Sequence, residues 1–573
     1  MTAARLVRLP ELRTVFREAL MIWIEGNCVC ADTRTLTARF EQGTLVELRR
    51  KRDGRAFVQA PADGMAPLQL VYARQEAVGL RGELGDRVVC LPISEWCAEI
   101  RFASWNGDGA LMISEDRESG DLMIEPSGCA SRPGLRACRW NLTGIDTDLD
   151  LIAPFFQGVR LPLEDALIRN SHWHWPHQWE AGLAILQGMD GGFWIHCRDD
   201  RFRYKSLQVG TADQARCLGL ETEAYGPLHD NLGTGGLVWR VNVFDGDWQG
   251  PAARYRDWLD RAYGLQDRPD WLDELRFAVS WCPTDPGILD ALAGRIQPER
   301  VLLHIPGWRT DPYDENYPTY QASEAGKAFV EKARGMGFRA MPHFNSVDMD
   351  PIHPVYAHVR DFQYRDPESQ RVQGWTWVDG QGRPVPESNA ARLLHRQYKT
   401  MVKIHPGLSL WRSILAENVR VAAEDLSLEI AFLDVTLCTW NLHNCLVEGM
   451  TSTEGMKRLT AHVARLGKGL VVGGEGRNEI TMQDQGVAQV HLFRSWHRSA
   501  EGLERTSACP LNEFLFGRWC RSFGYSGLGG RTPEEEARMQ AHTALGAMPT
   551  VTVRKAEDIA APNAAVAEML AMA

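Results

Sequence analysis

The sequence predicts an antiparallel β-sandwich followed by a (β/α)₈ barrel of the TIM type. Up to about Trp248, short apolar runs recur between Gly, Asp, Asn and Pro, a pattern typical of many short strands joined by turns. From Trp271 onward, apolar runs alternate with segments of helical periodicity, which is typical of parallel strands joined by helices. The 573 residues are also too many for one core. We therefore predict a sandwich at 1–249, a linking helix and linker at 250–270, and a barrel at 271–573.

The predicted sandwich contains several short apolar runs, the clearest being Leu45–Leu48, Val88–Leu91, Gly192–His196 and Gly236–Trp239. A helix is predicted from Pro251 to Tyr263, because apolar side chains recur there at helical spacing. The stretch from Gly264 to Asp270, which contains a proline, is the expected linker.

Eight barrel strands can be assigned in chain order: Phe277–Trp281, Val301–Ile305, Arg339–Asn345, Leu428–Leu433, Leu470–Gly474, Gln489–Phe493, a seventh near Asn512–Phe516, and Thr550–Val553. Helices are predicted between them at Gly287–Ile296, at Glu324–Met336, within Ala390–Ala423 and at Thr453–Leu466. An insertion from Ser346 to about Pro386 follows the third strand. Long loops after barrel strands usually build or cover a binding site.

Composition excludes several classes of function. The net charge of −11 and the pI near 5.9 argue against a nucleic-acid partner, which would require a basic surface. No apolar run is long enough to cross a membrane, and the charged N-terminus does not resemble a signal peptide, so we expect a cytoplasmic protein. The thirteen cysteines lack metal-type spacing and are expected to be buried thiols. The sequence does not determine whether the protein forms a homo-oligomer.

Two acidic residues, each at the end of an apolar run, are the main functional signal. Asp434 follows the fourth predicted strand and Glu475 the fifth, with a predicted helix between them. Barrels present catalytic groups at the C-terminal ends of their strands, and glycosidic bond cleavage requires two carboxyl groups. We predict Asp434 as nucleophile and the longer Glu475 as acid/base, with Gly473 and Gly474 leaving room for close approach of substrate. The alternative is that both acids cap the helices that follow.

Sugar-binding candidates lie near predicted strand ends, where aromatic faces can stack on sugar rings and polar groups can bind hydroxyls. The candidates are Trp281, Trp308, Asp314, Tyr317, His343, Asn345 and Arg477. The alternative for the loop that contains Asp314 is an ordinary turn, because Asp and Asn favour turns. The alternative for His343 is a core histidine whose hydrogen bonds are satisfied.

No cofactor or metal is predicted. The Gly-rich stretches do not fit a dinucleotide fingerprint or a P-loop, and no His-Glu-x-x-His motif occurs. His172 and His174 would share one face of a strand, but no carboxylate or cysteine of fitting spacing accompanies them. We interpret this aromatic and histidine run as a surface or a domain interface.

The chain also resembles a bacterial family labelled domain of unknown function 6259. That family is similar to the endo-α-N-acetylgalactosaminidases of glycoside hydrolase family 101 and more distantly to α-amylases. The resemblance depends on the order of short motifs: Gly192–Ile195, Tyr255–Trp258, Gly307–Trp308, Asp314–Pro318, His343–Asn345, Asp434 and Glu475.

The resemblance implies a retaining α-glycosidase, with Asp434 as nucleophile and Glu475 as acid/base. Because this chain lacks the secretion signal and the extra binding modules of the large secreted enzymes, we expect a small imported glycoside as substrate. The alternatives are an inverting or transglycosylating enzyme, and a barrel that binds carbohydrate without cleaving it.

Overall fold

The protein is described by a computed structural model that covers residues 21–59, 64–72, 76–80, 87–166, 168–212, 215–264, 267–365, 371–375, 381, 401–437, 439, 446–492 and 508–573. Its N-terminal part forms three antiparallel sheets. The first is a five-stranded meander: β1 (Ile22–Glu25), β2 (Cys28–Asp32), β3 (Leu36–Glu41), β4 (Thr44–Arg50) and β5 (Ala56–Gln59).

Sixteen further strands build the other two sheets: β6 (Leu68–Tyr72), β7 (Ala77–Leu80), β8 (Arg87–Ser94), β9 (Cys97–Ser104), β10 (Gly107–Asp116), β11 (Asp121–Ala130), β12 (Leu135–Thr143), β13 (Asp150–Ala153), β14 (Val159–Pro162), β15 (Ser171–His174), β16 (Leu183–Gly188), β17 (Gly191–His196), β18 (Lys205–Ala212), β19 (Ala215–Glu223), β20 (Gly233–Thr234) and β21 (Trp239–Asp245). The larger sheet has the order β14-β13-β16-β17-β21-β11-β10-β9-β8, with β20 beside β11. The smaller has the order β15-β18-β19-β12-β6-β7.

One apolar core joins the inner faces of these sheets, which confirms the predicted sandwich. Trp140 and Trp173 from the smaller sheet and Phe193 and Trp239 from the larger sheet all belong to it. Alternation of inward apolar and outward polar residues makes such a core possible in antiparallel strands. Three of the four predicted apolar runs lie in strands, and the fourth begins its strand only at Trp239.

The predicted linking helix is present as α1 (Gln249–Tyr263), which starts two residues earlier than expected. Tyr255 and Leu259 are buried in a cluster that also contains Trp194 of the sandwich and Phe516 of the barrel. The helix therefore packs against both parts of the chain. The domain boundaries at 249 and 270 stay predictions.

Eight parallel strands form the C-terminal barrel: β22 (Phe277–Val279), β23 (Val301–Ile305), β24 (Arg339–Asn345), β28 (Ile430–Asp434), β29 (Val471–Glu475), β30 (Gln485–Val490), β31 (Arg521–Gly524) and β32 (Thr550–Val551). Their order is β31-β30-β29-β28-β24-β23-β22-β32, and a parallel bridge between Phe523 and Met548 connects the two ends. Apolar side chains from the strands fill the interior, among them Leu302, Met341 and Phe432.

The second and third barrel strands have the predicted bounds, and the first, fourth, fifth and eighth differ by two residues or fewer at each end. The sixth begins four residues earlier than predicted, at Gln485. The prediction of the seventh was wrong, because Leu511–Phe516 is a helix and the strand is Arg521–Gly524. Leu511 and Leu515 are both buried, so this short apolar run follows helical spacing, which a run of five residues does not distinguish from a strand.

The other described helices of this part are α2 (Trp271–Glu274), α3 (Pro286–Ala293), α4 (Glu324–Gly335), α5 (Tyr356–Val359), α6 (Ser409–Leu426), α7 (Ser452–Leu466), α8 (Leu511–Phe516), α9 (Pro533–Ala544), α10 (Glu557–Ala560) and α11 (Ala564–Ala571). The insertion after β24 contributes a small sheet of β25 (Asp348–Met349), β26 (Gly374–Trp375) and β27 (Met401–Lys403). Residues 366–370, 376–380 and 382–386 of the predicted insertion, and residues 390–400 of the predicted helical stretch, lie outside the described residues. In the described part of the chain, no helix has the length and apolarity that a membrane crossing requires.

Candidate active site

The two predicted catalytic carboxyl groups lie side by side at one end of the barrel. Asp434 is the last residue of β28 and Glu475 the last residue of β29, and these strands are parallel neighbours with Leu433 opposite Gly474. Both acids therefore emerge at the C-terminal ends of adjacent strands, where barrel enzymes carry out their chemistry. Asp484, an acid on the segment that follows Glu475, lies at the opposite end of the barrel, directly before β30, beside Lys457.

A single backbone amide connects the two acids. The N–H of Val435 donates to Oε2 of Glu475 at 3.1 Å, and the same N–H counteracts the rise in the pKa of Asp434. Val435 has a φ of +63°, a left-handed conformation that a β-branched residue rarely adopts. Strain of this kind is typical of sites where the surrounding structure fixes a functional geometry.

Asp434 lies in a buried pocket of polar side chains. The Tyr313 hydroxyl donates to its Oδ2 at 3.4 Å, and Nε2 of His343 lies 3.5 Å from the same oxygen. Burial raises the pKa of Asp434 well above its usual value, and the nearby carboxyl groups of Glu475, Asp314 and Asp348 raise it further. Asp434 therefore binds a proton more tightly than an isolated aspartic acid does.

Glu475 is held from two sides. His491 is the residue after β30, and its Nε2 lies 2.9 Å from Oε1 of Glu475. The Val435 N–H donates to the other carboxylate oxygen. Thr436 Oγ1 donates to the Glu475 backbone carbonyl at 2.8 Å. Both carboxylate oxygens thus have a defined partner before any substrate is bound.

Two buried histidines lie beneath Asp434. Nε2 of His304 and Nδ1 of His343 are 3.0 Å apart, and the backbone N–H of Trp281 donates to Nδ1 of His304 at 3.3 Å. Burial lowers the pKa of His304 to about 3, and burial together with His304 lowers the pKa of His343 well below its usual value. Both rings are therefore neutral at ordinary pH, and His343 directs an uncharged ring nitrogen toward Asp434.

Asp314 adds a third carboxyl group near this pair. It is buried, and burial raises its pKa to about 8, with a further increase from Asp348 that the Tyr317 hydroxyl and Arg309 oppose. Its φ is +59°, and Trp281 also has a positive φ, of 57°. Strained backbone thus occurs at three strand ends or loops around the site, including Val435.

The predicted sugar-binding residues fall into two groups. Trp281 is half-buried and forms ring contacts with Tyr313 and Tyr525, and its indole N–H has no hydrogen-bond partner among the described residues. Together with Asp314 and His343, it lies at the carboxyl end of the barrel beside Asp434. Its role in sugar binding stays a prediction, as do the roles of the others.

Four of the predicted residues have buried side chains with structural contacts. Trp308 is fully buried and donates its indole N–H to the His343 carbonyl at 2.9 Å, and Tyr317 is buried against Asp314. The Asn345 side-chain oxygen accepts from the backbone N–H of Asp348 at 2.8 Å, so it closes its own turn. Arg477 is buried and donates to Glu513 at 2.7 Å. These side chains support the site from behind in the observed arrangement.

The interpretation of Gly473 and Gly474 as space for substrate was wrong. A Cβ on Gly474 would lie 2.1 Å from the Gln485 amide nitrogen and 2.7 Å from Thr436 Oγ1, and one on Gly473 would lie 2.7 Å from Met341 Sδ. The glycines allow close packing of neighbouring strands inside the barrel.

Sequence reasoning missed His491, Tyr313 and Tyr525 as individual site residues. His491 and Tyr525 directly follow the described ends of β30 and β31, and their rings are in contact at a tilt of 34°, with centroids 4.2 Å apart. The sequence could have indicated both residues, because each lies one residue beyond a barrel strand. For Tyr525 this position was not recognised, because the seventh strand was predicted in the wrong place.

Outside the barrel, folding brings Glu223 beside His172 and His174, with one donor atom of each within 4.8 Å of the others. The sequence could not reveal this carboxylate, because β19 reaches β15 only through β18. Glu221 accepts from Arg136 and Arg139 and lies 3.0 Å from Nε2 of His172. Two arginines already balance the two glutamates, so the cluster is explained as a buried ion-pair network.

The fold is similar to solved structures of alpha-N-acetylgalactosaminidase NagBb from Bifidobacterium bifidum. A quadruple mutant gives a TM-score of 0.66 at 13% identity, covering 95% of this chain and 92% of that one. The ligand-free form gives 0.65 at 14% identity with the same coverage. At this identity the similarity establishes the sandwich-plus-barrel fold, and the distant resemblance to α-amylases stays a prediction.

In sequence, no curated protein matches the chain. A family model described as Domain of unknown function (DUF6259) matches residues 237–526, from the last sandwich strand through the seventh barrel strand. Because this segment makes up half of the sequence and contains both candidate acids, the protein belongs to the DUF6259 family.

Proposed function

We propose that this protein hydrolyses an α-glycosidic bond with retention of configuration. The observation that carries the proposal is the pairing of Asp434 and Glu475, which end adjacent barrel strands and share the amide of Val435. Two carboxyl groups on one side of a barrel mouth are the minimum that glycoside hydrolysis requires.

In the proposed reaction, the carboxylate of Asp434 attacks the anomeric carbon while Glu475 protonates the departing oxygen. Glu475 then removes a proton from a water molecule, whose oxygen bonds to the anomeric carbon as the bond from that carbon to the Asp434 carboxylate breaks. The Tyr313 hydroxyl and the neutral His343 ring hold Asp434 in place without forming a full ion pair with it. A nucleophile without a strong ionic partner keeps more of its reactivity.

The charge state of the pair supports this chemistry. The neighbouring Glu475 carboxyl group contributes to the raised pKa of Asp434, and a pair that holds one proton supplies one acid and one carboxylate. With the site empty, burial and the neighbouring carboxyl groups raise the pKa of Asp434 and favour the proton on that residue. That favours the opposite assignment, with Asp434 as the acid, and the experiments below distinguish the two.

For the substrate, we propose a small α-glycoside, with an α-N-acetylgalactosaminide as the first candidate because NagBb carries that activity in its name. The half-buried Trp281 ring, with Tyr313 and Tyr525 beside it, provides an aromatic wall suited to a sugar face. A protonated Asp314 would donate a hydrogen bond to a hydroxyl or carbonyl oxygen. We further propose that the protein acts in the cytoplasm.

The test is turnover of 4-nitrophenyl α-N-acetylgalactosaminide, followed by the other common aryl α-glycosides. Asp434→Asn and Glu475→Gln should each lower kcat by about a thousandfold or more. The matched control is Asp484→Asn, a partly buried acid at the far end of the barrel, which should keep wild-type turnover. A wild type without activity on any glycoside, but with measurable sugar binding, would favour the non-catalytic alternative.

Two further measurements separate the remaining alternatives. The anomer first released, followed by NMR, distinguishes retention from inversion. Azide should restore activity to Glu475→Ala and yield a glycosyl azide of retained configuration, because a small anion can enter the space left by the truncated side chain. Restoration with retained configuration in Asp434→Ala rather than in Glu475→Ala would reverse the assigned roles.

A further inference from the structure

The segment around the proposed acid/base is held by the N-terminal strands as well as by the barrel. The loop between β13 and β14 reaches the end of β30, and residues 156, 157 and 158 all have positive φ angles. Directly after this loop, Val159 forms an antiparallel bridge with Ala508, which precedes α8. This loop thus has an unusual backbone conformation where it meets the barrel.

Gln157 connects this loop to the site. Its side-chain amide donates to the His491 carbonyl at 2.7 Å and lies 3.3 Å from Nδ1 of His542. The Gln157 backbone carbonyl accepts from Asn512 N at 3.3 Å, so the residue is anchored at both ends. Phe156 also packs edge-on against the His491 ring, with centroids 6.2 Å apart.

The chain that follows Glu475 is held in the same way. The Glu479 N–H donates to the Glu180 carbonyl at 2.9 Å, and the Glu479 carboxylate accepts from Trp175 Nε1 at 2.5 Å and Tyr255 OH at 2.7 Å. Glu180 and Trp175 belong to the sandwich, and Tyr255 to α1. The two segments that determine the position of the Glu475 carboxyl group, its own loop and β30, therefore both depend on contacts from outside the barrel.

We propose that His491 is a positioning residue for Glu475, and that Gln157 of the N-terminal strands fixes His491 in place. The inference rests on the proposed function and extends it to a residue outside the barrel. His491 approaches one carboxylate oxygen at 2.9 Å and leaves the other to the Val435 amide. Among the described residues, Asp434 on the adjacent strand and Tyr525 after β31 are further titratable groups that face Glu475.

A positioned acid has a kinetic signature that general structural support lacks. Poor leaving groups need a proton in the transition state, whereas 4-nitrophenolate leaves almost without one. A change that only misplaces the Glu475 proton should therefore reduce cleavage of phenyl glycosides far more than cleavage of 4-nitrophenyl glycosides. The appropriate constant is kcat/KM, which reports the first irreversible step and excludes the later hydrolysis of the glycosyl enzyme.

The experiment compares His491→Leu, His491→Gln and Gln157→Met in the full-length protein. The leucine variant should lose about thirtyfold or more in kcat/KM on the phenyl glycoside and less than about threefold on the 4-nitrophenyl glycoside. His491→Gln places a side-chain amide where Nε2 of His491 lies, so this variant should retain most of the kcat/KM that the leucine variant loses. Gln157→Met removes the amide nitrogen that donates to the His491 carbonyl and contacts Nδ1 of His542, while the Gln157 side-chain oxygen has no partner among the described residues. It should show the same selective loss, about fivefold to tenfold.

The control is Gln208→Met, in β18 and distant from the barrel mouth, which should change neither constant. Equal losses on the two substrates, or no loss on either, would overturn the positioning role while leaving glycoside hydrolysis intact. A wild type that cleaves neither substrate would instead remove the proposed function, and this inference with it. If His491→Leu does not fold, Gln157→Met alone decides the result.

Discussion

Replacing Asp314 by asparagine should make the protein more resistant to unfolding as the pH rises. Asp314 is 6% exposed, and burial, together with Asp348, raises its pKa from 3.8 to about 8. Below about pH 4 the residue is neutral in both the folded and the unfolded chain. Between those two values the unfolded chain ionises and the folded chain does not, so wild-type stability falls as the pH rises.

The size of the effect follows from the pKa difference. Each pH unit between the two pKa values lowers the unfolding free energy by about 1.4 kcal/mol. Ionisation of this group therefore lowers the unfolding free energy of the wild type by about 4 kcal/mol between about pH 5 and about pH 8. Asparagine has no such titration. It also tolerates the left-handed backbone at this position, where φ is +59°, better than most residues, so the change adds no backbone strain.

The assay is urea unfolding of wild type and Asp314→Asn across this pH range. The difference in unfolding free energy should shift toward the variant by about 4 kcal/mol from the lowest to the highest pH. Asp311→Asn, in the same loop but more exposed, serves as the control and should show a much smaller shift. A difference that stays constant within about 1 kcal/mol would refute the assignment of Asp314 as a neutral acid.

Three other changes test separate parts of the arrangement. Gly474→Ala should reduce turnover about tenfold or more in enzyme kinetics, because its Cβ would lie 2.1 Å from a side-chain amide on the next strand. The control is Gly335→Ala, whose Cβ would have no neighbour within 4 Å, so this variant should keep its turnover. Burial raises the pKa of Glu479 to about 6 from 4.5, so the wild type should lose about 2 kcal/mol of unfolding free energy as the pH rises through that interval, and Glu479→Gln should lack this slope in denaturant titrations. Trp308→Phe removes the donor to the His343 carbonyl. It should lower the melting temperature measured by calorimetry by an amount equivalent to about 1–3 kcal/mol. An unchanged melting temperature would exclude a supporting role for this indole.

The parts of the fold that depend on local periodicity were predictable from sequence. The apolar runs that end at Asp434 and Glu475 are strands with nearly the expected bounds, because buried parallel strands need continuous apolar residues. Asn512–Phe516 was mistaken for a strand, since five residues do not separate the two periods. The pairing of the two acids also follows from their position at adjacent strand ends.

The rest of the site depends on contacts between residues distant in sequence. Nothing local in the sequence indicates that Gln157 reaches the His491 carbonyl, 334 positions away. Nor does spacing reveal that Glu223 joins His172, because antiparallel sheets bring residues together across intervening strands. Trp308 illustrates the opposite error, since an aromatic residue near a strand end can belong to the core as readily as to a binding surface.

The left-handed conformation of Val435 has a consequence for attempts to make this protein more heat-resistant. A screen for higher melting temperature would favour replacements that relieve the unfavourable dihedral angle, since most such changes are neutral or beneficial elsewhere in a chain. Here the relaxed peptide would rotate its N–H away from Glu475 and leave two acids without their common donor. A library intended for thermostability should therefore keep this codon fixed.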